Sequence, residues 1–389
     1  MTVTSPAAAS TGPTPVWALV VLAMSILTMS SGGVWFALLD DTPPLMQACW
    51  RLTLTVVLQA IGVAYELRTD PSLDAAFWIR YRQSVPLILT IGASLAAYFG
   101  SWGWSVAHTS LLDSLLLVCT TPLLLVVIMT LRWLYRRHCR HQSSRAIVKV
   151  SSESDYLVRP DATTSSSWSI SWFETIVCPQ QADAPTWLEL LGTVVGFSGV
   201  LTLLAAGGGA DANAAANSHD VTFLGNASAL LGALVIIAYL EGGAACRKWM
   251  PLFIYSFSVT SCAAIYLAVA SLVLEPETTV LGLGPAALFG FVGEFHRFGL
   301  VFGAAFVAGF FGHACMNIAV VHVSTLLIAV CALSEPLLGS VMGYLVGVQG
   351  PPDQITLFAA PLLLGGALLV TLSGHVITKP PQAADPVVP

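Results

Sequence analysis

Long apolar segments alternate with short polar segments along nearly the whole chain. A helix needs roughly 20 apolar residues to cross a bilayer, and the apolar segments are of this length. We predict ten membrane-spanning helices. They cover residues 16–39, 45–65, 85–106, 109–132, 187–206, 221–245, 250–274, 298–318, 321–346 and 354–376. The predicted fold class is an all-α membrane protein with ten transmembrane helices.

The fourth and ninth spans contain the same sequence pattern in one ungapped register. An offset of 214 residues places His108 on His322, Ser110 on Ser324, Thr120 on Ser334 and Pro122 on Pro336. Polar and proline matches are rarer by chance than leucine matches in apolar helices. We therefore interpret residues 16–206 and 221–376 as two related halves with five spans each. Because five is odd, the second half is predicted to be inverted in the membrane relative to the first.

Basic residues are concentrated in alternate polar connections. If the N-terminus is cytoplasmic, the predicted cytoplasmic segments hold thirteen of the fifteen Lys and Arg residues, whereas the outer loops hold mainly acids. This distribution follows the positive-inside rule and predicts that both termini are cytoplasmic. The membrane is the plasma membrane or that of an organelle. One connection, 134–186, is long and rich in Ser, and we predict that it is a mostly disordered cytoplasmic insertion.

Composition narrows the function classes. Hydrophobic residues make up 56% of the 389 residues and charged residues 9%, against about 25% charged in soluble domains. Five of the eight cysteines lie inside apolar segments, which is not the pattern of a disulfide framework. The sequence has no metal-ligand cluster, no nucleotide-phosphate loop and no nucleophile beside a base. We therefore expect no metal, no cofactor, no nucleic-acid partner and no enzymatic activity, and we expect the lipid bilayer and a small solute as partners.

Ionisable residues inside the predicted spans are the first candidates for function, because a charge at bilayer depth costs at least about 2.5 kcal/mol. Glu335, in the middle of the ninth span, is either a substrate or proton site or a structural carboxylate that pairs with Arg51 or a helix dipole. Arg51, in the second span, binds an anionic substrate group, pairs with an acid or extends to the interface. Asp113, near the outer end of the fourth span, is either a gate or proton-linked acid or an interfacial residue.

Polar and aromatic residues that share helix faces are further candidates, either as the lining of a cavity or as interhelical contacts. They are Thr121 in the fourth span, Ser324 in the ninth, His313 and Asn317 in the eighth, and Tyr98 and Trp102 in the third. The small, polar segment 25–33 of the first span is either a hinge or a packing surface. Gly192 and Gly196 form a Gly-x-x-x-Gly motif that packs within one chain or joins two chains in a homodimer.

Three features resemble the drug/metabolite transporter superfamily, in its EamA-like family. A small polar residue, Pro and apolar residues recur in both halves, Arg51 lies early in the second span, and the last helix of each half is rich in Gly. The recurring motif reads Thr121-Pro122-Leu123 and Ser334-Glu335-Pro336-Leu337. The resemblance covers residues 16–132 and 187–376 but not the insertion. The chain lacks the Gly-Glu pair that family members often have after the fourth and ninth spans.

The resemblance implies a solute carrier with a central cavity between two inverted five-helix halves, which works by alternating access without ATP. The expected substrate is an amino acid, another metabolite or a drug-like compound. One alternative is a nucleotide-sugar or organophosphate exchanger of an internal membrane, although only Arg51 is available inside the spans to bind phosphate. The other alternative is a non-transporting scaffold or sensor that acts through the insertion.

Overall fold

The regular structure of this chain is helical. The computed structural model describes residues 16–150, 185–208, 221–247, 249–319 and 331–377. In these ranges eight helices are long and apolar enough to cross a membrane, and no strand is formed. The chain is therefore a multi-pass, all-α membrane protein, which confirms the predicted class.

The helices follow one another with short connections. In the first part of the chain they are α1 (Val16–Ser30), α2 (Gly32–Ala37), α3 (Pro44–Thr69), α4 (Ala75–Gln83), α5 (Val85–His108), α6 (Leu111–Val118), α7 (Thr121–Val150) and α8 (Trp187–Gly208). In the second part they are α9 (Phe223–Arg247), α10 (Leu252–Leu274), α11 (Phe295–Gly303), a π-helical segment (Ala304–Phe311), α12 (Gly312–Ala319), α13 (Glu335–Val346) and α14 (Gln354–Ile377).

The eight long helices correspond to the first seven predicted spans and the tenth. The eighth predicted span is divided among α11, the π-helical segment and α12. The final part of the ninth span forms α13, while residues 320–330 lie outside the described residues. Helix α7 extends past the predicted span end at residue 132 as far as Val150, so the start of the predicted insertion is helical. The rest of the insertion, residues 151–184, lies outside the described residues.

Helices α8 and α14 pack against each other through glycines. A Cβ atom added to Gly366 would overlap backbone atoms of Gly192 and Gly196, and one added to Gly192 would lie 2.8 Å from the Gly366 carbonyl oxygen. The Gly-x-x-x-Gly motif is therefore occupied by a helix of the same chain. A homodimer stays a prediction, and it would need a different surface.

Gly366→Leu should destabilise the protein, because the two backbones leave no room for a side chain. Overpacking of this kind costs about 1–3 kcal/mol or more. The neighbouring Gly365 is a matched control, since a Cβ atom there meets nothing within 4 Å. Thermal unfolding in detergent should show a clear loss of stability for Gly366→Leu and almost none for Gly365→Leu. Equal melting temperatures for the two variants would contradict the close packing.

The end of the bundle that carries residues 38–43 and 275–294 is covered by these connections, and we call it the capped face. The Trp50 indole N–H donates a hydrogen bond to the Leu288 carbonyl oxygen at 2.9 Å. Buried Arg297 donates to the Gly290 carbonyl oxygen and to the Asp41 carboxylate, both at 3.1 Å. The loop is thus fixed to helices from both parts of the chain.

Candidate functional site

A cavity of about 830 Å³ lies between α3, α5, α9, α10 and the π-helical segment. Arg51 and Trp102 line its deep end, nearest the capped face. It extends to Arg247 and Leu252, which flank the turn between α9 and α10, and Arg247 is exposed there. We call this end of the bundle the open face. The volume is in the range of binding sites for small molecules.

Aromatic rings surround the Arg51 guanidinium at the deep end. Its Cζ lies 5.5 Å from the ring centre of Phe36, 4.9 Å from that of Phe99 and 5.7 Å from that of Trp102. These are distances at which a cation is attracted to the face of a ring. The Arg51 side chain is buried and makes no ion pair with any residue in the described ranges. It is therefore held by rings and not by an acid.

The π-helical segment forms one wall of the cavity and packs against α3. Gly309 approaches α3 so closely that an added Cβ atom would lie 3.0 Å from the Thr55 hydroxyl oxygen. Phe310 and His313 follow on the same wall, and His313 is exposed to the cavity. Wider turns of this kind inside α-helices often occur at functional sites.

On the side of Arg51 away from the cavity, three helices meet through small residues. A Cβ atom on Gly339 of α13 would lie 2.7 Å from Leu115 Cδ1 and 2.8 Å from the Ser30 carbonyl oxygen. One on Gly343 would lie 2.8 Å from Leu111 Cδ2. We call this contact among α1, α6 and α13 the glycine seal. None of its residues lines the cavity, and we infer that this contact and the loop over the capped face close the cavity on that side.

The fourth and ninth spans break in the same way at equivalent positions. In each, a two-residue turn precedes a helix whose second residue is proline, Pro122 in α7 and Pro336 in α13. Proline suits the first turn of a helix because its missing N–H has no helical acceptor there. The Thr120 hydroxyl donates to the Leu117 carbonyl oxygen at 2.7 Å, and its counterpart Ser334 donates to that of Cys331 at 2.6 Å. Positions that are 214 residues apart thus make equivalent hydrogen bonds as well as having similar residue types.

Two of the predicted site residues begin the helices after these breaks. Thr121 starts α7, and its hydroxyl donates to the carbonyl oxygens of Val118 and Ala233 at 3.1 and 3.4 Å. Glu335 starts α13, is half-buried, and has no hydrogen-bond or ion-pair partner among the described residues. The ion pair of Glu335 with Arg51, one of the two structural roles considered for it, is not formed. The other, an interaction with a helix dipole, fits its place at a helix N-terminus.

The structure brings together four of the predicted site residues in one cavity: Arg51, Tyr98, Trp102 and His313 all line it. Tyr98 and Trp102 stack with ring centres 6.1 Å apart. Glu335 is not on the cavity wall. Ser324 lies outside the described residues, and the Asn317 side chain lies outside them as well.

Asp113 takes a different place from the one expected of an interfacial residue. It is only 2% exposed and accepts a hydrogen bond of 2.7 Å from the Thr356 hydroxyl of α14. Its backbone N–H is bound by the Ser110 side chain, which caps α6. Asp113 therefore joins two helices beside the glycine seal and is not part of the cavity wall.

Sequence reasoning missed several residues of the cavity wall. They include Gln59, Phe99, Tyr239 and Tyr255, and Phe36 completes the rings around Arg51. A usable signal was present for Gln59 and Tyr239, because they lie well inside apolar helices. Tyrosine is enriched at the membrane interface, so Tyr239 indicates a polar surrounding, whereas Tyr255 lies in the first turn of α10 and gives no such signal. Over the ranges described, no group of three metal-binding side chains comes together.

Comparisons with known proteins give information about the fold of this chain but none about its candidate site. No protein-family model and no curated protein matches the chain. A solved structure, described only as the crystal structure of a protein, matches with a TM-score of 0.51 and 14% sequence identity. The match covers 93% of this chain and 98% of that chain. At this identity the likeness concerns the fold alone.

Proposed function

We propose that this protein is a secondary transporter that moves a small organic solute, such as an amino acid, another metabolite or a drug-like compound, by alternating access. The carrying observation is the cavity, which is large enough for a small molecule, extends to one face and is separated from the other by the glycine seal. A transporter caught between two transport steps has this asymmetry. The resemblance to EamA-like transporters points the same way.

The proposed architecture is ten spans in two inverted five-helix repeats. The contacts between helices support this architecture. When each helix is replaced by its equivalent in the other half, a contact between two helices becomes another contact that is also present. The contact of α5 with α9 has its counterpart in that of α1 with α12, and the contact of α5 with α10 in that of α3 with the π-helical segment. The contact of α7 with α9 corresponds to that of α1 with α13. The pairs α8–α14 and α3–α10 map onto themselves, as a two-fold relation requires.

The proposed orientation has both termini in the cytoplasm. The open face then carries the basic connections and the capped face the acidic ones, as the positive-inside rule requires. The described conformation is accordingly open toward the cytoplasm. Transport would then require the glycine seal to separate and the open face to close.

A nucleotide-sugar or organophosphate exchanger is the second candidate. The observation in its favour is that two arginines, Arg51 and Arg247, line the cavity, and no Asp or Glu among the described residues does so. Nucleotide-sugar counterflow that ignores a pH gradient would identify it.

The proposal predicts solute flux by the purified protein. Proteoliposomes should take up at least one compound from a panel of amino acids, carboxylates, amines and nucleotide sugars, and protein-free liposomes should not. A chain without residues 151–184 should transport equally well, since every described residue of the cavity wall lies outside that segment. Absence of flux from folded protein across the whole panel would contradict transport and favour a scaffold or sensor.

A further inference from the structure

The cavity wall contains buried polar groups that have no partner within the chain. Arg51 Nη1, Trp102 Nε1, Gln59 Oε1 and the Tyr255 hydroxyl all belong to this wall, and each lacks a hydrogen bond to any described residue. Buried polar atoms are nearly always satisfied, so each exception needs an explanation. Four exceptions in one cavity are explained together if a bound molecule supplies the missing partners.

The charged residues on the cavity wall indicate the sign of the charge on that molecule. Two cations, Arg51 and Arg247, line the cavity, whereas none of the described residues that line it is Asp or Glu. A buried cation without an anionic partner is costly. The rings of Phe36, Phe99 and Trp102 lie around the Arg51 guanidinium and lower this cost in part, but a ring cannot accept the bond that Nη1 offers in the way an oxygen does. The missing partner of Arg51 is therefore an anionic oxygen.

The spacing of the two arginines indicates how much charge the molecule carries. A Cβ atom on Gly232 of α9 would lie 3.6 Å from the Tyr98 carbonyl oxygen, which places Gly232 near the deep end. Arg247 follows fifteen residues later on the same helix, which is roughly 22 Å along its axis. One small anionic group cannot contact both arginines. A single guanidinium neutralises one negative charge, whereas a phosphate dianion would keep a second negative charge without a cationic partner.

We propose that the cavity binds a small monocarboxylate with an apolar, planar body. The carboxylate accepts hydrogen bonds from Arg51 at the deep end, and the body packs against aromatic residues such as Tyr98, Tyr239 and Phe310 on the surrounding walls. This inference rests on the proposed transport function, because it names the substrate class of the same cavity. The transport proposal says nothing about the charge of the solute, whereas this inference predicts that the protein discriminates solutes by charge.

Matched probes test the charge preference directly. The compounds are 3-phenylpropionate, 3-phenylpropanamide and 3-phenylpropylamine, which differ only in the end group, with phenyl phosphate as the dianion. Hexanoate with its amide and amine forms a second set that lacks the ring. Binding to the wild-type protein in detergent is measured by calorimetry, and flux is measured in proteoliposomes. We expect the carboxylates to bind at least about tenfold more tightly than their amides and amines, and phenylpropionate more tightly than hexanoate.

Variants assign the preference to Arg51. Arg51→Gln should remove the discrimination between carboxylate and amide, while Arg51→Lys should keep part of it. Arg247→Gln is the matched control, because it removes one positive charge from the same cavity but far from the deep end, and it should keep the discrimination. The comparison among wild-type ligands does not depend on the folding of any variant.

Each outcome decides the inference. Equal binding of carboxylate and amide, preference for phenyl phosphate, or retained selectivity in Arg51→Gln would overturn it. Flux of neutral or cationic solutes with no carboxylate bound would also overturn it, yet leave the transport proposal intact. If no compound of the wider panel is bound or moved, the transport proposal fails and this inference fails with it.

Discussion

Gly339→Leu should strongly reduce solute flux while the protein still folds. In the described conformation a side chain at this position has no room between Leu115 and the Ser30 carbonyl oxygen. Overpacking of about 1–3 kcal/mol disfavours the sealed conformation alone, and this shifts the equilibrium between two conformations by about 5- to 150-fold. Because a transport cycle needs both conformations, flux should fall by a similar factor.

The same variant should expose the capped face. In a background without the native cysteines, Leu111→Cys should react faster with a membrane-impermeant thiol reagent when Gly339→Leu is also present. Gly299→Leu is the control, since Gly299 is likewise in a helix and an added Cβ atom there meets nothing within 4 Å. It should change neither flux nor labelling.

A cross-link tests the glycine seal without overpacking it. An added Cβ atom on Gly343 would lie 2.8 Å from Leu111 Cδ2, so cysteines at these two positions should be joined by a short bis-methanethiosulfonate, which forms a disulfide with each thiol and releases a sulfinate at each end. The joined protein should lose flux, and reduction should restore it. Unchanged flux in both Gly339→Leu and the cross-linked protein would show that the capped face does not open during transport.

Features of the fold that depend on local sequence could be predicted. The breaks before Pro122 and Pro336 follow from the missing N–H of proline and from the small hydroxyl residues beside it. The lengths of the eight long helices follow from runs of apolar residues. No local sequence pattern predicts the π-helical segment. It interrupts a predicted span that is continuous by hydropathy.

The candidate site was only partly predictable, because its contacts join distant residues. Arg51 stood out as a charge in an apolar span, but the rings around it come from α2 and α5. From its place near a span end Asp113 was a gate, a proton-linked acid or an interfacial residue, and only the fold shows that Thr356, 243 positions away, provides a buried partner for it. The glycine seal was invisible for the same reason, since only the packing of three helices shows which glycines have no room for a side chain.

Glu335→Gln should uncouple solute accumulation from a proton gradient. Glu335 begins α13 at a break in the ninth span and has no ion-pair partner among the described residues. An unpaired carboxylate at this depth is costly when the surroundings are dry and tolerated when they are wet. If the conformational change moves this carboxylate between dry and wet surroundings, its protonation changes with it. The equivalent Thr121 carries no charge, so only one half contributes such a group.

The measurement separates accumulation from exchange. With a substrate identified by the uptake panel, wild-type proteoliposomes should concentrate it under a pH gradient. Glu335→Gln should retain counterflow between labelled and unlabelled substrate but lose the concentrating step. Glu294→Gln is the matched control, because that carboxylate is half-exposed and lies 3.2 Å from Arg297 near the capped face. If Glu335→Gln concentrates substrate as the wild type does, Glu335 has a structural role and the protons, if any, move through another group.

A loss of both counterflow and accumulation would instead indicate that the carboxylate is needed for the conformational change itself. Exchange requires that change but does not require a gradient.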